Sequence, residues 1–103
     1  MEVNLLNKEI IDLINQFREE RNWNQYHNPK DLSLSLSLES AELLENFQWI
    51  SSEEAVEKNR QNIAEELADV FIYGIQLAEE MGFDIDEIIR MKIKKNSEKY
   101  PIT

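Results

Sequence analysis

Cysteine is absent from the 103-residue chain, which excludes disulfide frameworks and thiolate sites. Glycine occurs only at positions 74 and 82, and proline only at 29 and 101. So little punctuation disfavours a many-stranded fold and favours long helices. The single histidine, His27, lies in a loop-like stretch, so the Glu-x-x-His pairs of a di-iron carboxylate bundle are missing. No long apolar run and no signal-like N-terminus occurs, so a soluble, cytoplasmic protein with no membrane partner is expected. Positive charge is scarce: 11 Lys and Arg stand against 21 Asp and Glu, a formal net charge of −10. That balance argues against a nucleic-acid polymer as partner, because such binding rests on cations at phosphates. A small anionic substrate stays compatible, since bound metal ions reverse the local sign. The length suits one domain, residues 1–103, and so short a chain buries a modest share of its surface alone. Self-association as a homodimer or homotetramer is therefore expected.

The hydrophobic pattern divides the chain into four helical stretches. Leu6, Ile10, Leu13, Ile14 and Phe17 recur at three- and four-residue steps and predict a first helix over about residues 4–21. Residues 22–29, aromatic and polar, predict a loop. Leu32 to Leu38 alternate leucine with serine, which alone is a strand pattern. The stretch runs without a breaker into Glu39-Ser40-Ala41-Glu42-Leu43-Leu44-Glu45, rich in helix formers, and no second strand exists to pair with it. A single helix over residues 32–49 is expected instead, capped by Asp31, central to the fold and lining a subunit interface. Ser51-x-x-Glu54 is a capping-box pattern, and the helix it opens should reach Met81, with a break near Lys58 and Gly82 beyond its end. Asp84 caps a last helix that Tyr100-Pro101 closes. The Phe83–Glu87 stretch lacks the spaced ligands and central glycine of a calcium-binding EF-hand loop. The expected class is all-α, a four-helix protomer.

Chemistry concentrates in two acidic clusters. Glu39 and Glu42 stand three residues apart, as do Glu66 and Asp69, so each pair shares one helix face. Apolar residues crowd both pairs, and acids beside a core are costly unless neutralised. A hard divalent cation held by oxygen ligands answers that cost, and it points to phosphate chemistry. The competing reading is a pair of solvated helix faces, since such spacings arise by chance in an acidic chain. Lys92 and Asn96 stand one turn apart on the last helix, where basic residues also complement the helix dipole. Trp23 and Trp49 flank the first acidic helix; each alone is ordinary packing, and together they could stack on a heteroaromatic ring.

Taken in order, Glu39-x-x-Glu42, Glu66-x-x-Asp69 and Lys92-x-x-x-Asn96 followed by Tyr100-Pro101 resemble the signature of the MazG-like, all-α NTP pyrophosphohydrolases. Phe17–Trp23, His27–Leu32, Glu45–Trp49 and Asp69–Tyr73 look like the dCTP pyrophosphatase branch, and the resemblance covers about residues 5–101. It implies hydrolysis of a (deoxy)nucleoside triphosphate to monophosphate and pyrophosphate with Mg²⁺, for which Mn²⁺ could substitute. By the same resemblance, Glu39, Glu42, Glu66 and Asp69 are the catalytic, metal-holding acids. Lys92, Asn96 and Tyr73 match phosphate-contacting positions, and Trp23 and Trp49 match aromatics of the base pocket. One departure stands out: dCTP-preferring members carry histidine three residues before the phenylalanine matching Phe17, where this chain has Ile14. An apolar side chain cannot supply the same hydrogen bonds, so the chain departs from the dCTP-preferring pattern at this position, while dCTP or a modified dCTP remains the substrate that the branch resemblance implies. The segment between Trp49 and Asn59 is also shorter than in that branch. A phosphoribosyl-ATP pyrophosphohydrolase shares the acidic logic, but the tryptophan contexts favour the nucleotide pool. A non-catalytic helical partner protein would have no use for the complete set of acids with Lys92 and Asn96.

Overall fold

Five α-helices and one short 3-10 turn make up the computed structural model, which describes residues 8–102, and no strand occurs among them. The helices are α1 (Lys8–Glu20), α2 (Pro29–Glu45), α3 (Ser52–Lys58), α4 (Arg60–Glu80) and α5 (Ile85–Lys99). The all-α expectation holds, with the third expected helix divided at Asn59 into α3 and α4. The expected start of the first helix near Asn4, and Leu6 with it, lies outside the described residues. Between α1 and α2, Trp23–Tyr26 forms the 3-10 turn where only a loop was expected. Asn22 enters that turn at φ 56°, a left-handed conformation that asparagine tolerates better than most side chains.

The helix ends follow local chemistry, with two corrections on α2. Its N-cap is Asn28, not Asp31: the Asn28 side chain accepts from the Asp31 amide and donates to the Asp31 carboxylate. Pro29 then occupies a first-turn position, where its missing N–H costs nothing. At the other end α2 stops at Glu45 rather than continuing to Trp49, which takes a left-handed φ of 69°. The remaining caps match expectation. Ser51 accepts from the Glu54 amide and Asp84 from the Glu87 amide. Gly82, at φ 68°, closes α4: its own N–H reaches the Glu79 carbonyl and the Phe83 N–H reaches Ala78. That pair of bonds satisfies carbonyls the helix end would otherwise strand.

Packing makes α4, not α2, the hub: it lies against α1, α2 and α3. On α2, the side turned toward α4 runs Leu32, Leu36, Glu39 and Leu43, at steps of four, three and four residues. Leu32 is fully buried on it, and the rest are half-buried. On α4 the corresponding stripe runs Ile63, Glu66, Val70 and Tyr73, all half-buried. Each stripe thus carries one acid where the helical register would suit an apolar residue. Among the described residues the buried apolar core is small, comprising Ile14, Leu32, Ala55, Ile75 and Ala78. No residue of α5 is buried.

Candidate active site

Because α2 and α4 pack along those stripes, their acids meet. One carboxylate oxygen each of Glu39, Glu42 and Glu66 lies within 4.8 Å of the others. Asp69, one turn beyond Glu66, lines the adjoining cavity together with Glu39 and is near enough to disfavour ionisation of Glu39 and Glu66. Glu39 Oε2 and Glu66 Oε2 are enclosed with no hydrogen-bond donor to satisfy them. Burial first, then the adjacent Glu42 carboxyl and the Asp69 charge raise the Glu39 carboxyl to about 7. Burial and the neighbouring Glu42 also push Glu66 up. Ionised carboxylates only accept, so this group can be quieted by a shared proton or by a cation. The donors are all oxygens, two of them enclosed and orphaned, and such a set fits a hard divalent cation.

Beside the acids opens a cavity of about 460 Å³. Leu13, Ile14 and Phe17 of α1 form one wall, and Asp69, Ile72, Tyr73 and Gln76 of α4 form another. Trp23 and His27 close it from the connection between α1 and α2. The Trp23 indole meets the Phe17 ring edge-on at 5.4 Å between centroids, and Arg21 covers that ring with its guanidinium 3.6 Å from the centroid. Aromatic rings held this way are suited to a flat heterocycle. Burial first, then the charges of Glu39, Asp69 and Glu42, raise the Tyr73 hydroxyl above its ordinary value. Tyr73 therefore stays a neutral donor between acids and cavity.

A buried polar cluster holds the wall in place. Arg18, only 3% exposed, donates to Glu80 at 2.7 Å, to His27 Nδ1 at 3.0 Å and, at 3.4 Å, to Asn15. Asn15 in turn donates to Glu79 at 3.0 Å. The cluster ties α1, the loop at His27 and the end of α4 together, and a buried guanidinium needs such partners. Burial and then the Arg18 charge lower the His27 imidazole, against a smaller upward pull from Glu80, which keeps the ring neutral.

The expected site residues thus fall into two groups. Glu39, Glu42, Glu66, Asp69, Tyr73 and Trp23 come together around the acids and the cavity. Trp49, Lys92 and Asn96 do not. The Trp49 indole is 95% exposed beyond the end of α2, and it does not line the cavity with Trp23. Lys92 and Asn96 lie on exposed α5 and are absent from the cavity wall. Sequence reasoning missed Arg18, His27 and Gln76. Arg18 follows Ile14 by one turn on the inward face of α1, and Gln76 follows Tyr73 on that of α4. A polar residue on an apolar stripe was the available signal in both.

A model of the MazG-like family matches residues 34–103. The dCTP pyrophosphatase 1 of Mus musculus is 38% identical over 92 residues, covering 84% of this chain and 54% of that protein. Its Homo sapiens counterpart is 36% identical over 91 residues, with the same coverage. The chain therefore spans about half the length of these curated relatives. The crystal structure of a pyrophosphatase from Archaeoglobus fulgidus superposes with a TM-score of 0.88 at 38% identity, covering 98% of this chain and 100% of that one. By the family model, which matches more than half of its length, the chain belongs to the MazG-like family.

Proposed function

We propose that the chain is a single-domain, divalent-cation-dependent pyrophosphohydrolase of (deoxy)nucleoside triphosphates, serving nucleotide-pool house-cleaning. The observation that carries this reading is the convergence of Glu39, Glu42 and Glu66 beside an aromatic-walled cavity. The activities for which the relatives are named, dCTP pyrophosphatase and pyrophosphatase, support it and make dCTP the first nucleotide to test.

In this reading the base enters the Phe17–Trp23 cavity and the triphosphate runs toward the acids. Glu39, Glu42, Glu66 and Asp69 would hold Mg²⁺, or Mn²⁺ in its place. When bound, the cation offsets phosphate charge and lowers the pKa of water. A carboxylate of the cluster takes the proton of the attacking water. The water oxygen bonds to the α-phosphorus, and the bond to the bridging oxygen breaks. Nucleoside monophosphate and pyrophosphate leave. Tyr73, kept protonated by its surroundings, donates to a phosphate oxygen. Lys92 and Asn96 offset charge on the leaving pyrophosphate. In this role they depend on α5 of the same chain or of a second copy reaching the acids, and Trp49 depends on the assembly in the same way. Self-association, as a dimer or tetramer, is therefore part of the proposal.

The test is a panel of nucleoside triphosphates assayed for pyrophosphate release with Mg²⁺ and with EDTA. Turnover should require the cation, and Glu66→Gln should reduce it about a hundredfold or more, the cost of a misplaced reacting centre. Glu53→Gln, at an exposed position of α3, should leave it nearly intact. No pyrophosphate from any nucleotide, or full activity in Glu66→Gln, would overturn the reading.

A further inference from the structure

Three enclosed side-chain oxygens among the described residues lack a hydrogen-bond partner. Two belong to the acidic cluster, and the third is Gln76 Oε1. Gln76 is 3% exposed and lines the cavity, on the face of α4 that also carries Tyr73. Enclosing an amide carbonyl without a donor is unfavourable, and an unbranched apolar side chain would fill the same space without that cost. Packing therefore gives no account of the amide. Rotation about the last side-chain bond exchanges its two ends, so Gln76 can turn either a donor or an acceptor toward the cavity.

Away from the acids, the rest of the wall offers few polar groups: the Tyr73 hydroxyl, the Trp23 indole N–H and the His27 imidazole. Leu13, Ile14 and Ile72 offer none. His27 offers one fixed group: the Arg18 guanidinium can only donate, so Nδ1 must accept and the neutral ring carries its proton on Nε2. An adaptable amide and a fixed N–H donor then share a cavity walled by aromatic rings, the combination that suits the hydrogen-bonding edge of a heteroaromatic base.

We propose that Gln76 is a specificity-determining residue whose amide hydrogen-bonds the polar edge of the nucleobase seated in the Phe17–Trp23 cavity, with His27 as companion donor. This rests on the nucleotide reading above, and it adds which side chain discriminates among bases. Gln76 stands apart from the reacting phosphates in this scheme and acts on which nucleotide binds.

Binding and turnover test it separately. Affinities of the α,β-imido analogues of dCTP, dTTP, dATP and dGTP, which resist cleavage at that bond, are measured with Mg²⁺ for the wild type, Gln76→Met and Gln76→Asn. The wild type should prefer one base. Gln76→Met should lose about ten- to a hundredfold in affinity for that base, the effect of one lost hydrogen bond in an enclosed site, and much less for the others. For the preferred triphosphate itself, KM should rise in step while kcat changes little. The Met variant should melt at or above the wild-type temperature, because an unpartnered amide has been removed; a merely structural glutamine would give the opposite. Gln76→Asn, with its amide withdrawn by one methylene, should also lose the preference, and it decides the matter if the Met variant fails to fold. An unchanged preference in a folded variant, an equal loss for all four bases, or a wild type with no base preference would overturn the assignment. Base-selective, Gln76-dependent binding without any pyrophosphate release would instead overturn the pyrophosphohydrolase reading and leave Gln76 in its role.

Discussion

Glu39 occupies a position on α2 between Leu36 and Leu43, on the side that meets α4. Its carboxyl is raised to about 7 by burial and by Glu42, Asp69 and Glu66, from a reference of 4.5. Between those values the folded protein binds more protons than the unfolded chain, so this group's contribution to stability falls as pH rises through the window. The effect is absent below about 4.5 and complete above about 7. In EDTA, the wild type should therefore lose more thermal stability than Glu39→Gln between pH 5 and pH 8. Millimolar Mg²⁺ should remove the difference or reverse its sign. Melting curves of both proteins at the two pH values check this, and parallel losses would mean that Glu39 is not crowded as described. The i, i+3 spacing marked these acids in the sequence. The upward shift was not legible there, because it comes from carboxylates on a different helix.

At the scale of the helices, α4 carries the most structure and also an apparent weakness. Gly74 sits inside it, where glycine gives up backbone entropy that alanine would not. A Cβ built there meets nothing within 4 Å. Gly74→Ala should therefore stabilise the folded chain by about 0.5–1 kcal/mol. Denaturant titration at a fixed protomer concentration measures it. A destabilised variant would mean that a second chain approaches the helix at this point. The other helices obey their local signals, with exceptions that have identifiable causes. Asp31 resembles a cap, but Asn28 precedes a proline that starts a helix well, and the cap moves three residues upstream. Trp49 lies beyond a last turn closed by the Asn46, Phe47 and Gln48 amides on the Leu43, Leu44 and Glu45 carbonyls.

The whole chain is more open than its length suggests. Its radius of gyration is 16.2 Å, against about 13 Å for a compact domain of roughly 100 residues. Leu34 and Leu38, one turn apart on the side of α2 away from Leu32 and Leu36, are 54% and 65% exposed. α5 has no buried residue, and Trp49 stands free of the cavity. Apolar surface of this extent on a small chain is the kind a partner subunit covers. Sedimentation at micromolar concentration should show a dimer or larger species. Leu38→Lys should shift it toward monomer while helical content stays within a few per cent, since the side chain is exposed in the protomer. A stable wild-type monomer would remove the basis for expecting Lys92, Asn96 and Trp49 to complete the site from another copy. Among the described residues, no helix is long and apolar enough to cross a membrane.

The sequence by itself determined the helical class, most of the helix ends and the two pairs of acids. Each of these depends on residues within about one turn of one another: Ser51 and Glu54, Asp84 and Glu87, Gly82 and the end of α4, Glu39 and Glu42. Tertiary structure alone decided that Glu66 meets Glu39 and Glu42, that Arg18 pairs with Glu80 across 62 positions of chain, and that Gln76 is left without a partner beside a cavity. The physical reason is range. Caps and helical faces are satisfied along a single segment, whereas burial, charge repulsion and an unmet hydrogen bond exist only once separate segments have packed.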